Sequence, residues 1–214
     1  VNVPALSPGA GSMSRTQQRA AANRRAVLDA AREIIATQGV DALTLEAVAE
    51  RADVVVQTIY NRVGGRSAVL TAVAEQALEE SRAYMDPAYD ADGGAEDRIL
   101  LAAAAYARFA RERPHEFRIL VEPPNEPDAV KRIAELTRVQ NARLADVIRE
   151  GIQVGVLRPD LDPDDIATAL WAALNGLLAL AWRPGGLHAS PETIDRLLTA
   201  YIATVTDGLR TRQP

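Results

Sequence analysis

Residues 44–70, TLEAVAERADVVVQTIYNRVGGRSAVL, constrain the fold more than any other part of the chain. Thr44 is a residue type that opens a helix by accepting a backbone N–H with its hydroxyl. Leu43 before it and Val48 after it hold the two positions of a hydrophobic staple. These signals predict a short helix over 44–52. A second short helix is predicted over 56–63, where Ile59 and Val63 are four apart and share the face turned toward the preceding helices. Gly64 and Gly65 break it, and Arg66 opens a longer helix. Two short helices joined by a tight turn hold one helix at a fixed angle to the other, which is how many proteins place a helix in a DNA major groove.

The rest of the chain also reads as helix. Upstream, a helix over 23–38 carries Val27, Ala30, Ala31, Ile34 and Ile35 on one face and ends at Gly39. Residues 1–22 are expected to form a tail, disordered at least to Met13, with Gly11-Ser12 before that methionine resembling an expression scar. Arg15, Arg19, Arg24 and Arg25 suit either a basic arm on DNA or a solvated lead-in. Downstream, helices are predicted over 66–85, 96–113, 114–121, 128–154, 163–182 and 191–209. Pro114 suits a first helical turn, and Asp162 stands where it can cap the helix over 163–182. The prolines of residues 122–127 exclude continuous helix there. No strand pattern competes, so the expectation is all-α with nine helices. Its organisation is a tail over 1–22, a short-helix domain over 23–65 and a larger domain over 66–214.

Composition agrees. Apolar residues make up 48% and aromatics only 4%, so the core is mostly Ala, Leu, Val and Ile, which suits helices. The absence of cysteine excludes disulfides, thiol catalysis and Cys-based zinc sites, and fits a cytoplasmic protein. The net charge of −5 argues against a polyanionic partner until its distribution is considered. Residues 1–70 hold eight Arg against six Asp and Glu, a net of +2, and the remainder carries −7. The most apolar run, residues 166–182, contains Thr168, Asn175 and Gly176 and sits at the short edge of a membrane span, so it reads as a buried helix.

No G-x-S-x-G, P-loop or H-E-x-x-H pattern is present, so no enzyme activity is expected. His115 and His188 are isolated and expected at the surface, and no metal site or cofactor is implied. The acidic cluster of Asp160, Asp162, Asp164 and Asp165 complements a helix dipole and lacks the glycine and terminal glutamate of a calcium loop.

These residues resemble the TetR family of bacterial transcriptional regulators. The likeness rests on the first helix ending in Gly39, the Leu43-Thr44-Leu45 entry, and Ala49-Glu50-Arg51-Ala52 closing the second helix. It continues through Thr58-Ile59-Tyr60 and the Gly64-Gly65-Arg66 exit before Ala68-Val69-Leu70. It covers roughly residues 24–72, and the Asp-rich entry to a Trp-containing eighth helix fits the family's second half. The resemblance implies a helix-turn-helix head followed by a ligand-binding and dimerisation domain. The expected function is a ligand-responsive regulator, a repressor released from a pseudo-palindromic operator by a small apolar effector. It would act as a homodimer through the last two helices, with no membrane involvement.

Within that frame Gln57, Thr58, Asn61 and Arg62 are the candidate base-reading residues, because amides suit adenine, arginine suits guanine and the threonine methyl suits thymine. Thr44, Tyr60 and Arg66 are the candidate phosphate contacts. Tyr84, Tyr106, Phe109, Phe117, Trp171 and Asn175 are the candidate effector-pocket residues. Asn175 stands out because a buried amide needs partners, which a ligand or a second subunit could supply. The sequence departs from the family pattern at three points. Asp53 replaces the usual turn glycine, Val55 the usual capping serine, and Val63 a phenylalanine. The third helix is therefore expected to start loosely, or to be held by packing of Val54 and Val55. Two rivals stand beside this reading: a helical small-molecule-binding protein that no longer reads DNA specifically, and a hydrolase on a helical scaffold.

Overall fold

The computed structural model describes residues 14–123 and 126–211. The first thirteen residues of the expected tail lie outside them. Among the described residues there are nine α-helices and no strand, only an isolated antiparallel bridge between Leu157 and Arg210. The chain divides into two compact units between Val69 and Leu70.

The first unit contains α1 (Arg15–Gln38), α2 (Leu45–Arg51), α3 (Val56–Arg62) and the first turn of α4 (Arg66–Tyr89). α1 begins well before residue 23, inside the stretch expected to be tail. A capping box explains the early start: the Gln17 N–H donates to the Ser14 hydroxyl at 3.2 Å, and the Ser14 N–H donates to the Gln17 side chain at 2.8 Å. The residues that follow are rich in Ala, Arg and Gln, all strong helix formers. The core of the unit is the α1 stripe of Val27, Ala31 and Ile34, closed by Leu43, Val48 and Ile59, all of them at most 1% exposed. The staple residues Leu43 and Val48 are thus fully buried, as their spacing predicts.

Asp53 takes the left-handed conformation at φ 51°, and its N–H donates to the Glu50 carbonyl at 3.3 Å. The α2–α3 turn therefore forms without glycine, because Asp is among the few side chains that tolerate this region. Val55 makes no capping hydrogen bond and is 68% exposed, so its packing does not hold α3. Half-buried Val54 is fixed instead through its N–H to the Ala49 carbonyl at 3.0 Å. Replacing Val55 by Ser is expected to raise stability by about 0.5–2 kcal/mol, read as a higher thermal midpoint. An unchanged midpoint would mean that the α3 N–H groups gain nothing from a side-chain acceptor.

At the other end of α3 the chain is locked. Gly64 has φ 121°, and a Cβ there would meet the Ala68 Cβ at 2.7 Å, so only glycine fits. The Arg66 guanidinium donates to the carbonyl oxygens of Leu43 at 2.7 Å and Val40 at 3.2 Å, clasping the α1–α2 connection. Arg24 donates to the Arg62 carbonyl at 3.0 Å, satisfying an orphan carbonyl at the end of α3.

The second unit holds the remainder of α4, then α5 (Ala95–Glu112), α6 (Pro114–Val121), α7 (Pro127–Gln153), α8 (Pro163–Leu178) and α9 (Pro191–Leu209). α4 continues past Met85 through Pro87 to Tyr89, where a loop was expected. Burial overrides the proline: Ala88 and Tyr89 are buried, and Arg143 of α7 bridges Asp86 and Asp90 at 2.7 and 2.6 Å across that last turn. α8 stops at Leu178 and tightens into a 3₁₀ turn over Ala179–Ala181. Trp182 therefore lies beyond α8 and packs on Phe117 at 5.7 Å. Gly151 is pressed between elements, since a Cβ would meet a Leu157 methyl at 2.6 Å and the Ala95 Cβ at 2.8 Å.

Residues 163–181 are long and apolar enough to cross a membrane by length and composition, but only 28% of that stretch is buried in the single chain. Ala167, Leu174, Asn175 and Leu178 face inward. Ala169, Ala172, Ala173 and Gly176 form the exposed face, so the expectation of a buried helix holds on one side only.

Candidate functional site

The exposed face of the first unit is built on α3. Ile59 anchors the helix with no exposure, which turns Gln57, Tyr60, Asn61 and Arg62 outward and leaves Thr58 half-buried. Gln57 and Asn61 are four apart, one turn, and the Gln57 amide N–H donates to the Asn61 carbonyl oxygen at 3.1 Å. The pair holds its side chains together and leaves the Gln57 oxygen and the Asn61 NH₂ for outside partners. One acceptor beside one donor is the pattern that matches the adenine edge in a major groove. Tyr60 is 54% exposed, and its hydroxyl suits a phosphate oxygen.

Thr44 caps α2 by accepting the Ala47 N–H at 3.1 Å. Its hydroxyl proton remains to be donated, so one side chain both starts the helix and offers a contact. Arg66 is placed differently from expectation. Its guanidinium is turned into the carbonyls of Val40 and Leu43, so it positions the head. Arg15, Arg19 and Arg25 are exposed along α1, on ordered helix.

The second unit contains an apolar cavity bounded by α4, α5, α7, α8 and α9. Met85, Tyr89, Tyr106, Leu144, Trp171 and Tyr201 are among its walls, and Glu96 is the one formally charged residue lining it. Of the six expected pocket residues, Tyr106 and Trp171 line this space. Asn175 lies behind it, buried, and its carbonyl oxygen accepts the Tyr106 hydroxyl at 2.7 Å. The partner this buried amide requires is thus in the same chain.

Phe109 and Phe117 are fully buried in an aromatic cluster with Tyr84, Tyr106 and Trp182, with ring centroids 5.4–6.4 Å apart. Tyr84 sits at the edge of that cluster and donates to Glu112 at 2.7 Å. Tyr84, Phe109 and Phe117 therefore pack the core and do not line the cavity. The residues missed are Met85, Tyr89 and Tyr201. The first two are four apart on α4, a spacing obscured by Pro87, and Tyr201 belongs to an α9 stripe that reads equally well as a helix-pairing face.

Leu157 and Leu209 line the cavity, and a short backbone ladder joins the segments that carry them. The Arg158 N–H donates to the Leu209 carbonyl at 3.0 Å, and the Thr211 N–H donates to the Val156 carbonyl at 3.1 Å. Beside it Arg210 grips Glu96 through two hydrogen bonds of 2.9 and 3.1 Å.

Burial raises the phenols of Tyr89 and Tyr201 from the ordinary 10.0 to about 12, and raises Tyr106 as well. Because the folded values lie above the unfolded one, the neutral tyrosines support the fold fully below pH 10. That support is lost as pH rises through 10 toward 12. For nearly buried Tyr89 the loss approaches roughly 3 kcal/mol beyond pH 12. Unfolding midpoints measured from pH 9 to 12 should fall steeply, and Tyr89→Phe should flatten the fall. An identical profile in that variant would remove Tyr89 from the cause.

His115 and His188 are exposed, and no group of three or more His, Cys, Asp or Glu able to hold a metal occurs among the described residues.

Two family models match the chain. Residues 27–73 match "Bacterial regulatory proteins, tetR family", and residues 99–205, half of the chain, match "Tetracyclin repressor-like, C-terminal domain". No curated protein sequence matches. Among solved structures, the chain is similar to a protein of unknown function from Rhodococcus sp. RHA1, with 26% identity and a TM-score of 0.71 over 88% of this chain and 96% of the other. It is similar to the regulator FadR of Bacillus subtilis in complex with stearoyl-CoA, with 15% identity and a TM-score of 0.74 over 87% and 99%. The ketosteroid transcriptional regulator KstR2 of Mycobacterium tuberculosis gives 19% identity and a TM-score of 0.62 over 88% and 95%.

Proposed function

Because the chain belongs to the TetR family of bacterial DNA-binding transcriptional regulators, we propose that it is a homodimeric repressor released from a pseudo-palindromic operator by a small apolar effector bound in its internal cavity. The observation that carries this reading is the cavity itself. Its walls include Met85 and Tyr89 on α4, the helix whose first turn is part of the DNA-binding head. An effector that binds the form not bound to DNA more tightly shifts the population away from the operator. The apolar lining suits a lipophilic molecule, and the same fold holds stearoyl-CoA in the Bacillus subtilis neighbour.

Dimerisation is assigned to α8 and α9. The exposed small residues of α8 and the exposed Leu197, Ala200 and Ala203 of α9 form faces that a second copy would bury as a four-helix bundle. Base reading is assigned to Gln57, Thr58, Asn61 and Arg62, and phosphate contact to Thr44 and Tyr60. A two-fold dimer would read two half-sites one helical turn apart.

Selection of bound sequences from a random duplex pool, followed by a salt titration on the winner, tests the reading. The expected product is a pseudo-palindrome whose affinity at moderate salt exceeds that for unrelated DNA by about a thousandfold or more. Sequence-blind binding at every salt concentration would favour a different protein, a helical ligand-binder that has lost specific DNA recognition. The uncapped α3 and the Asp53 turn are the features that keep that second reading in view.

A further inference from the structure

Trp171 stands between the cavity and a second space. The indole lines the cavity from one side and, from the other, lines a wider groove between α6, α7 and α8, and Asn141 is the second residue the two spaces share. The groove has a different chemistry. Around its aliphatic floor stand Thr137, Arg138, Thr168, Asp164 and Asp165. The half-buried amide of Asn141, at the junction, has no hydrogen-bond partner among the described residues. An amide there offers one acceptor and two donors to whatever passes between the two spaces.

We propose that the effector fills both spaces at once. It is an elongated molecule whose apolar chain lies in the cavity and whose uncharged, hydrogen-bonding end, a hydroxyl, ester or amide, passes Trp171 to meet Asn141 and the groove. The proposal rests on the effector reading above and adds the chemistry of the effector's polar end. The groove rejects a phosphorylated end for a specific reason. Anion sites are made from free helix N-termini or clustered guanidinium groups. The α8 N-terminus borders the groove, but the N–H groups of Asp164 and Asp165 both donate to the Asp162 carboxylate at 3.0 Å. Asp164 and Asp165 then add two more carboxylates to that first turn, against the single guanidinium of Arg138 lining the groove. A quaternary ammonium end finds no box either, because Trp171 is the one aromatic residue lining the groove.

The chain has two tryptophans, so Trp182→Phe leaves Trp171 as the sole indole, placed at the junction. The full-length variant is titrated with N-lauroylethanolamine, lauroyl-CoA and 1-octanol, and Trp171 emission is followed. The octanol is short enough to remain in the cavity. N-lauroylethanolamine should bind about tenfold or more tighter than lauroyl-CoA. Adding Ala142→Trp to obstruct the groove should weaken N-lauroylethanolamine by about tenfold and leave octanol binding unchanged, and adding Asn141→Leu at the junction should weaken the ethanolamide by about tenfold more than it alters octanol. Lauroyl-CoA binding as tightly as the ethanolamide overturns the uncharged end. Ethanolamide binding that neither substitution alters removes the groove from the site while leaving an effector in the cavity. If none of the three probes, octanol included, perturbs Trp171, the effector reading itself fails and this inference falls with it.

Discussion

Replacing Phe109 by Ala is expected to destabilise the larger domain by about 3–5 kcal/mol and lower its thermal midpoint by roughly 10 °C. Phe109 is fully buried and touches three other rings: Tyr84 at 5.4 Å, Phe117 at 6.2 Å and Tyr106 at 6.4 Å. Removing it costs the transfer free energy of the ring and leaves a void that three rigid neighbours cannot fill by rotation. Phe109→Leu, which keeps most of the volume, should recover more than half of the loss. Thermal denaturation followed by circular dichroism reads both variants. A loss below about 1 kcal/mol for the alanine variant would show that the cluster relaxes around the gap and is not a rigid support beneath Tyr106.

The second large effect is on DNA. The double substitution Gln57→Ala with Asn61→Ala should cost about 1–3 kcal/mol per half-site on the selected operator, and roughly twice that for the dimer. The salt dependence should stay unchanged, because no phosphate contact is removed. The two single substitutions should not add up to the double, since each leaves the other amide without its 3.1 Å partner. Thr44→Val should instead weaken all sequences alike, again with an unchanged salt slope because an uncharged hydroxyl neutralises no phosphate. Operator binding by the double variant at wild-type strength would place base reading elsewhere on the head.

How much of this was legible depends on how far each interaction reaches along the chain. Thr44, Leu43 with Val48, and Ile59 act within one or two turns, and all took the places their spacing implies. The Asp162 cap is equally local and formed as expected. Arg66 was legible as a cation at a helix start, but its acceptors lie 23 and 26 residues away, on a connection whose path only the folded unit defines. Asn175 announced that it needed a partner, yet nothing in residues 163–182 identifies Tyr106, 69 positions upstream. The aromatics show the deeper limit. Periodicity tells that Phe109, Phe117, Tyr106 and Tyr201 turn inward. It does not tell whether the neighbour across the gap is another ring or empty space, and that distinction separates core from cavity. Pro87 misled for a different reason. Local propensity favoured a loop, and tertiary burial of Tyr89 with the Arg143 clamp outweighed it.

The Arg66 clasp changes what Gly64 and Gly65 are for. In sequence a glycine pair between two helices looks like a joint. Here Gly64 is held at one conformation against Ala68, and the residue after the pair is tied to the loop before α2. The pair is a mould, not a joint. α3 and the first turn of α4 are therefore held as one piece. Gln57, Tyr60, Asn61 and Arg62 on α3 therefore keep a defined place relative to the first turn of α4. Loosening the glycines or cutting the clasp should free the exposed face of α3 from the first turn of α4.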